Sequence, residues 1–182
     1  MQALGIPAAT DRHALYREPL AGPADPNRRE DRELELCEKA IVLALEDDAP
    51  LKRERESYLL DIQNPCWIWR DVPLEFLQAV SASVGQLPFN FEIGKAINDV
   101  VVEQPATEAG ELRVRLGCDG PVVADLSLAP AAGRHGATVL ESSPVTLPAD
   151  AGQQGDLCFN FTRRDVAPIW AIDWVELERN QP

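Results

Sequence analysis

The sequence predicts an all-β fold: a two-sheet antiparallel sandwich of jelly-roll type, preceded by a poorly structured N-terminal arm. Three observations carry this. Fifteen prolines and eleven glycines among 182 residues interrupt the chain so often that long helices have little room. Between the interruptions lie about nine or ten short β-rich runs with turn signals every 8–12 residues or so. Several of those runs alternate apolar and polar residues with period two, the pattern of sheets that each bury one face. No repeat of fixed period is present, so a propeller or solenoid is excluded.

Taken in order, REPLAGPADPNRREDRE is rich in proline and charge without apolar periodicity, and residues 1–33 read as a linker or arm. The sandwich is expected over 34–178, with 179–182 as a tail. ELELCEKAIVLALEDD could form a short amphipathic helix or a strand; Ile41, Val42 and Leu43 before the acidic stop Glu46, Asp47 and Asp48 favour the strand. SYLLDIQ, FLQAVSASVGQ, PFNFEIG and NDVVVEQ follow as β-rich runs bounded by Pro, Gly or Asn. ELRVRLG puts Leu112, Val114 and Leu116 on one face and Arg113 and Arg115 on the other, a half-solvated antiparallel strand. CDGP signals a turn, VVADLSLAP a strand and AAGRHGA a loop. DLCFNFT places Leu157, Phe159 and Phe161 opposite Cys158 and Asn160, and IWAIDWVELE is a terminal strand. The expected core includes Leu43, Leu60, Val84, Leu112, Val114, Leu126, Phe159 and Ile172.

Charge narrows the function classes. Thirty Asp and Glu against seventeen Lys and Arg give a net charge of −13, which argues against a nucleic-acid groove. A hydrophobic fraction of 45% with 26% charged residues is ordinary globular usage and sufficient for one core. No apolar run approaches the roughly 18 residues needed to span a bilayer, so no membrane partner is expected. The start, MQALGIPAATDRHALYREP, has neither a basic nor an apolar leader region, so the chain is expected to lack its own export signal.

The catalytic search returns negatives, and no catalytic residue is assigned. The two histidines, His13 in the arm and His135 in a Gly-flanked loop, lie in no HExxH and beside no nucleophile motif. Neither GxxxxGK[ST] nor GxGxxG occurs, so a phosphate cradle is missing. The abundant carboxylates, Asp47, Asp48 and Glu111 among them, sit at strand ends and read as solvated charge. Cys37, Cys66, Cys118 and Cys158 are widely spaced with no CxxC and no nearby His, so neither a zinc knuckle nor a thioredoxin-like motif is read from them. Their even number permits two disulfides in an oxidising compartment; four buried thiols are the alternative. Of the three possible pairings, Cys66–Cys118 with Cys37–Cys158 is preferred, because Cys66 follows an Asn-Pro turn and Cys118 precedes an Asp-Gly turn, positions where a bridge leaves strands undistorted.

Four of the eleven aromatic residues are tryptophan. Solvent-facing Trp rings on β-sandwiches can serve as platforms for sugar rings, since the C–H face of a pyranose packs on an aromatic face. Trp170 is the first candidate, following the RRDVAP loop and opening the last strand. Trp67 or Trp69 in NPCWIW would supply an opposing ring, and Arg163 and Asp165 would take hydroxyls or an acetamido carbonyl. The competing reading is core packing, since NPCW and AIDW both stand in apolar strand context.

GELRVRLGCDGPVVADLSLAPA, GDLCFNF and PIWAIDWVEL together resemble the closing half of family 6-type carbohydrate-binding modules, and VLALEDD is similar to their opening acidic strand. LEDDAP, NPCWIW, VGQLPFNFEIG, GELRVRLGCDGP, DLCFNF and WAIDWVEL as a set resemble the non-catalytic C-terminal domain of some bacterial β-N-acetylhexosaminidases of glycoside hydrolase family 20, over about residues 34–178. The resemblance implies an accessory domain. Its partners would be an N-acetylglucosamine-containing oligosaccharide or a family 20 catalytic barrel, and its location periplasmic or secreted if it belongs to a longer exported chain. A barrel takes about 250 residues and cannot fit in this chain, so catalysis is not implied here and no catalytic cofactor is expected. The resemblance also implies a structural Ca2+ tying first and last strands, with Glu46 and Asp173 at the matching positions and Asp47 as a further ligand. Many such modules carry an Asn before the final IDW where this chain has Ala171, which puts the principal sugar site in doubt. Two other readings remain: a structural sandwich that packs on or dimerises a catalytic partner, and a free-standing hydrolase working through unrecognised carboxylates.

Overall fold

The fold is given by a computed structural model that describes residues 25–180. Most of the expected arm, with His13, therefore lies outside the described residues. The strands in chain order are β1 (Arg28–Glu30), β2 (Glu35–Leu36), β3 (Val42–Glu46), β4 (Ser57–Asp61), β5 (Cys66–Pro73), β6 (Leu77–Leu87), β7 (Glu111–Leu116), β8 (Val122–Ser127), β9 (Thr138–Val139), β10 (Ser143–Pro144), β11 (Gln154–Phe161) and β12 (Ile169–Arg179). One sheet runs β1-β12-β6-β10, with β9 also on β6; the second runs β2-β5-β11-β7-β8; β3 and β4 form a separate pair. All these strand pairings are antiparallel, so the all-β sandwich read from the sequence is what the chain forms. β1 lies within the stretch read as arm, where it pairs Arg28–Glu30 with Glu176, Val175 and Trp174 of β12.

The alternation seen in the sequence sets the core. From the second sheet Trp67, Leu112, Val114, Leu126, Leu157 and Phe159 point inward with essentially no exposure. From the first sheet come Val80, Ala82 and Val84 of β6, facing Leu177, Val175 and Ile172 of β12. A strict period of two would not put both Ile172 and Val175 on one face. The register shifts between Ile172 and Trp174, so Asp173 sits at a β-bulge that moves the inward set from even to odd positions. Trp174 is thereby turned outward, where the Arg28 guanidinium lies 4.0 Å from its ring centre. On the opposite face of β6, Gly85 leaves room for the buried Tyr58 of β4: a Cβ there would come within 2.5 Å of the ring.

Two expected elements do not form as strands. PFNFEIG and NDVVVEQ lie in the long connection from β6 to β7, which contains a 3-10 helix at Gly94–Asp99 and whose one β-bridge is the isolated pairing of Glu103 with Thr162. Phe and Val favour strands where a half-buried sheet surface receives them, and here no neighbouring strand does. Leu43 also departs from the expected core. It is 36% exposed, because β3 has β4 as its single partner and Leu43, opposite Leu60, lies on that open edge. The other seven expected core residues are at most 1% exposed.

Candidate functional site

Register places three chain connections at one end of the sandwich. Leu87 ends β6 opposite Ile169, which starts β12; Phe161 ends β11 opposite Leu112, itself opposite Leu126 near the end of β8. The connections leaving there, joined by the β3–β4 loop, border an open concavity of about 460 Å³. Gln86 and Leu87 come from β6, Pro88 and Phe89 from the chain just beyond it, Asp48 from the β3–β4 loop, Gly133, Arg134 and His135 from the β8–β9 loop, and Ala167 and Pro168 from the turn into β12. Pro88 breaks the strand and swings Phe89 over the cavity, its half-buried ring 4.9 Å from that of Phe91 at a 41° tilt. The Gln86 amide oxygen accepts the Gly133 backbone N–H, tying the β8–β9 loop to the sheet. His135 Nδ1 and the Asp48 carboxylate share a short hydrogen bond across the same space. The site thus offers an apolar ring face, an amide, a carboxylate–imidazole pair and a cationic guanidinium within one concavity. Its lining contains no Ser, Thr or Cys to act as a nucleophile beside the Asp–His pair.

The tryptophan platform expected from the sequence is not at the surface. Trp170 is 2% exposed and stacks on Phe161 at 6.2 Å, while Trp67 is fully buried and meets Phe161 edge-on at 5.7 Å. Trp69 is 7% exposed, with the Arg29 guanidinium 4.7 Å from its ring centre. The reason is parity: Trp67 and Trp69 share the inward face of β5, and Trp170 shares that of β12 with Ile172. Arg163 is also withdrawn. It is 5% exposed and donates to the carbonyls of Val166 and Val101 at 2.8 and 3.2 Å, so it holds the β11–β12 loop against the β6–β7 connection. Burial pulls its pKa below the usual arginine value. Asp165 is exposed on that loop and caps the Val166 N–H.

Of the three residues assigned to calcium, Glu46 ends β3, Asp47 follows it and Asp173 lies in β12. Asp47 is buried with its carboxylate accepting the N–H groups of Ala49 and Glu56 at 2.7 and 3.2 Å, a turn-capping role. Glu46 faces solvent with Arg55 4.0 Å away, and Asp173 occupies the β12 bulge. Among the described residues, the cluster of metal-ligating side chains whose ligand atoms all lie within 4.8 Å of one another is Cys37, Cys66, Cys118 and Cys158.

Those cysteines form two disulfides, Cys37–Cys66 and Cys118–Cys158. The pairing expected from turn positions is therefore corrected. β2 and β5 are sheet neighbours, and the Cys37 N–H bonds the Cys66 carbonyl at 3.0 Å, so these two are held side by side. The bridges line a second groove of about 620 Å³ on the outer face of the β2-β5-β11-β7-β8 sheet. Beside them Glu103 gathers Arg113, Arg115 and Asn160. Burial alone would raise the Glu103 pKa, but these partners hold its carboxyl below the ordinary range.

Phe89, Gln86, Asp48 and His135 were not legible as a site. Phe89 reads as strand, Asp48 as solvated charge and His135 as a loop residue; the available signals were the Pro after VGQL and the glycines flanking His135.

No protein-family model matches the chain, and no curated protein matches it by sequence. Solved structures do match. A family 6 carbohydrate-binding module from Clostridium cellulolyticum in complex with xylose superposes with a TM-score of 0.52 at 11% identity, covering 84% of this chain and 96% of that one. A Clostridium stercorarium module, CsCBM6-3, in complex with cellobiose gives 0.51 at 13% identity, covering 84% and 93%. A family 43 arabinoxylan arabinofuranohydrolase from Bacillus subtilis in complex with cellotetraose gives 0.52 at 16% identity, over 85% of this chain and 27% of the enzyme. At such identities the likeness is one of fold, and the fold is that of family 6 carbohydrate-binding modules.

Proposed function

We propose that this chain is a non-catalytic carbohydrate-binding module that takes a sugar in the cavity around Phe89, as an accessory to a glycan-processing enzyme. The carrying observation is the half-buried Phe89 ring set among Gln86, Asp48, His135 and Arg134 in one cavity at the loop end of the sandwich. A pyranose laid on Phe89 would bury its C–H face there, with ring hydroxyls in reach of the carboxylate, amide and guanidinium. The solved modules of this fold that hold xylose and cellobiose support the class of ligand. The family 20 resemblance makes N-acetylglucosamine oligomers the first candidates, and a hexosaminidase barrel the enzyme served.

One aromatic face with a few hydrogen bonds corresponds to dissociation constants of about 10 µM to 1 mM, roughly −4 to −7 kcal/mol. Calorimetric titration with N-acetylglucosamine, xylose and glucose oligomers tests the reading. Phe89→Ala should weaken binding by about 1–3 kcal/mol, roughly five- to 150-fold, without shifting the denaturation midpoint to match. No heat with any of the three series at millimolar ligand would replace it by the structural-sandwich reading.

A further inference from the structure

We propose that the four cysteines, once reduced, form a tetrathiolate site for a soft divalent cation, with Zn2+ the natural occupant. The strands bring together what the sequence scatters over more than a hundred positions. Cys66 and Cys158 sit on the outer face of neighbouring strands β5 and β11, Cys37 follows β2 on one side, and Cys118 follows β7 on the other. All four sulfurs lie within 4.8 Å of one another. Across the two disulfides, the separations are 3.3 Å for Cys66 to Cys158, 3.6 Å for Cys37 to Cys158 and 3.8 Å for Cys37 to Cys118. A zinc–sulfur bond of about 2.3 Å requires sulfur–sulfur edges of about 3.8 Å in a tetrahedron. The three separations across the bridges are already near that edge, and the two bonded pairs, once reduced, must part to the same distance by side-chain rotation.

The surroundings meet the remaining requirements. Cys118 is exposed and Cys37 half-buried, so a reductant and a metal ion can reach sulfurs whose partners Cys66 and Cys158 are buried. Glu38 and Asp119 line the same groove and draw cations into it, and Arg115 lies opposite Cys158 in the ladder, a positive neighbour for sulfur that carries charge. Four sulfurs without water or imidazole select a d¹⁰ ion of tetrahedral preference over Ca2+ or Mg2+.

The steps balance. Each disulfide takes two electrons and two protons to become two thiols; a phosphine supplies the electrons and becomes its oxide, with oxygen from water. Zn2+ then displaces four thiol protons to solvent and makes four Zn–S bonds, leaving a cluster of charge −2. Affinity should therefore fall steeply with decreasing pH.

The test uses the whole chain, reduced with a phosphine in the absence of oxygen, and titrated with Co2+ as a spectroscopic stand-in. The expected result is a thiolate-to-cobalt charge-transfer band with strong visible bands of a tetrahedral S4 site. It should saturate at one Co2+ per chain, with four protons released as the metal binds to the thiols, and be abolished by one equivalent of Zn2+ without further proton release. Cys37→Ser and Cys118→Ser should each lose the four-thiolate spectrum. If reduction unfolds the chain, the titration followed by circular dichroism should recover the β spectrum as metal is added. A reduced chain that gives neither band nor recovery overturns the proposal. So does a spectrum that survives both substitutions, or the same band from the oxidised chain.

Discussion

Trp170 shows how much rests on the direction of one side chain. Its ring lies between the sheets against Phe161, so Trp170→Ala should create a cavity and cost about 3–5 kcal/mol, read as a lower urea midpoint at unchanged slope. A solvent-facing sugar platform would instead lose affinity at unchanged stability. Glu111 is a second case. Burial pushes its carboxyl up, but Thr162, Thr107 and the N–H groups of Ala106 and Thr107 outweigh that and hold it below the ordinary value of 4.5. A carboxylate depressed in the folded state contributes stability above its unfolded pKa and loses that contribution as pH falls through the folded pKa. Acid titration of stability should therefore show a decline below about pH 4.5 that is shallower in Glu111→Gln, which should also be less stable at neutral pH. Equal slopes for the two chains would remove Glu111 from the account. Residue identities alone announce neither behaviour, because the packing that covers Trp170 with Phe161 and the strand pairing that brings Thr162 to Glu111 are set by neighbours elsewhere in the fold.

Among the elements, β6 and β12 show what alternation can and cannot tell. β7 and β11 were legible residue by residue, since strict alternation needs only a local pattern to choose its inward face. IWAIDWVELE reads as a strand, but the bulge at Asp173 that sends Val175 inward and Trp174 outward leaves no mark in the pattern. The β6–β7 connection was misread for the converse reason: its Phe and Val residues carry strand propensity without a strand to pair with. The same dependence on neighbours makes Gly85 sensitive. Gly85→Ala should cost about 1–3 kcal/mol through a clash with the buried Tyr58 ring, and Tyr58→Phe in the same background should not restore it, because the ring atoms remain. A neutral Gly85→Ala would mean that β3 and β4 float free of β6.

For the whole molecule, the two bridges enclose separate stretches of chain, with sequence separations of 29 and 40 residues. Their restriction of the unfolded chain therefore adds, at about 4 kcal/mol each on the chain-entropy account. Reduction in a metal-free buffer should lower Tm by roughly 10 °C or more, as followed by far-ultraviolet circular dichroism. An unchanged Tm would show that the sandwich core alone sets stability. Two disulfides accord with an extracellular module, since such bridges persist in oxidising compartments. That cysteines would matter was legible from their even number; which ones meet depends on the order β2-β5-β11-β7, and sheet order is a property of the assembled fold.

β1 has a consequence for how such a domain bears load. It runs antiparallel to the last strand, with Arg28 opposite Glu176, and the Asn27 carbonyl accepts the Leu177 N–H at 2.8 Å while the Asn27 side chain accepts from Arg179. The described chain therefore enters and leaves the sandwich at the same corner. A pull applied through flanking segments would open the β1–β12 ladder like a zipper, one hydrogen bond after another, and would not shear all its bonds at once. Three residues would peel at low force while the longer β12–β6 ladder behind them stayed closed, making this corner the compliant point of the domain.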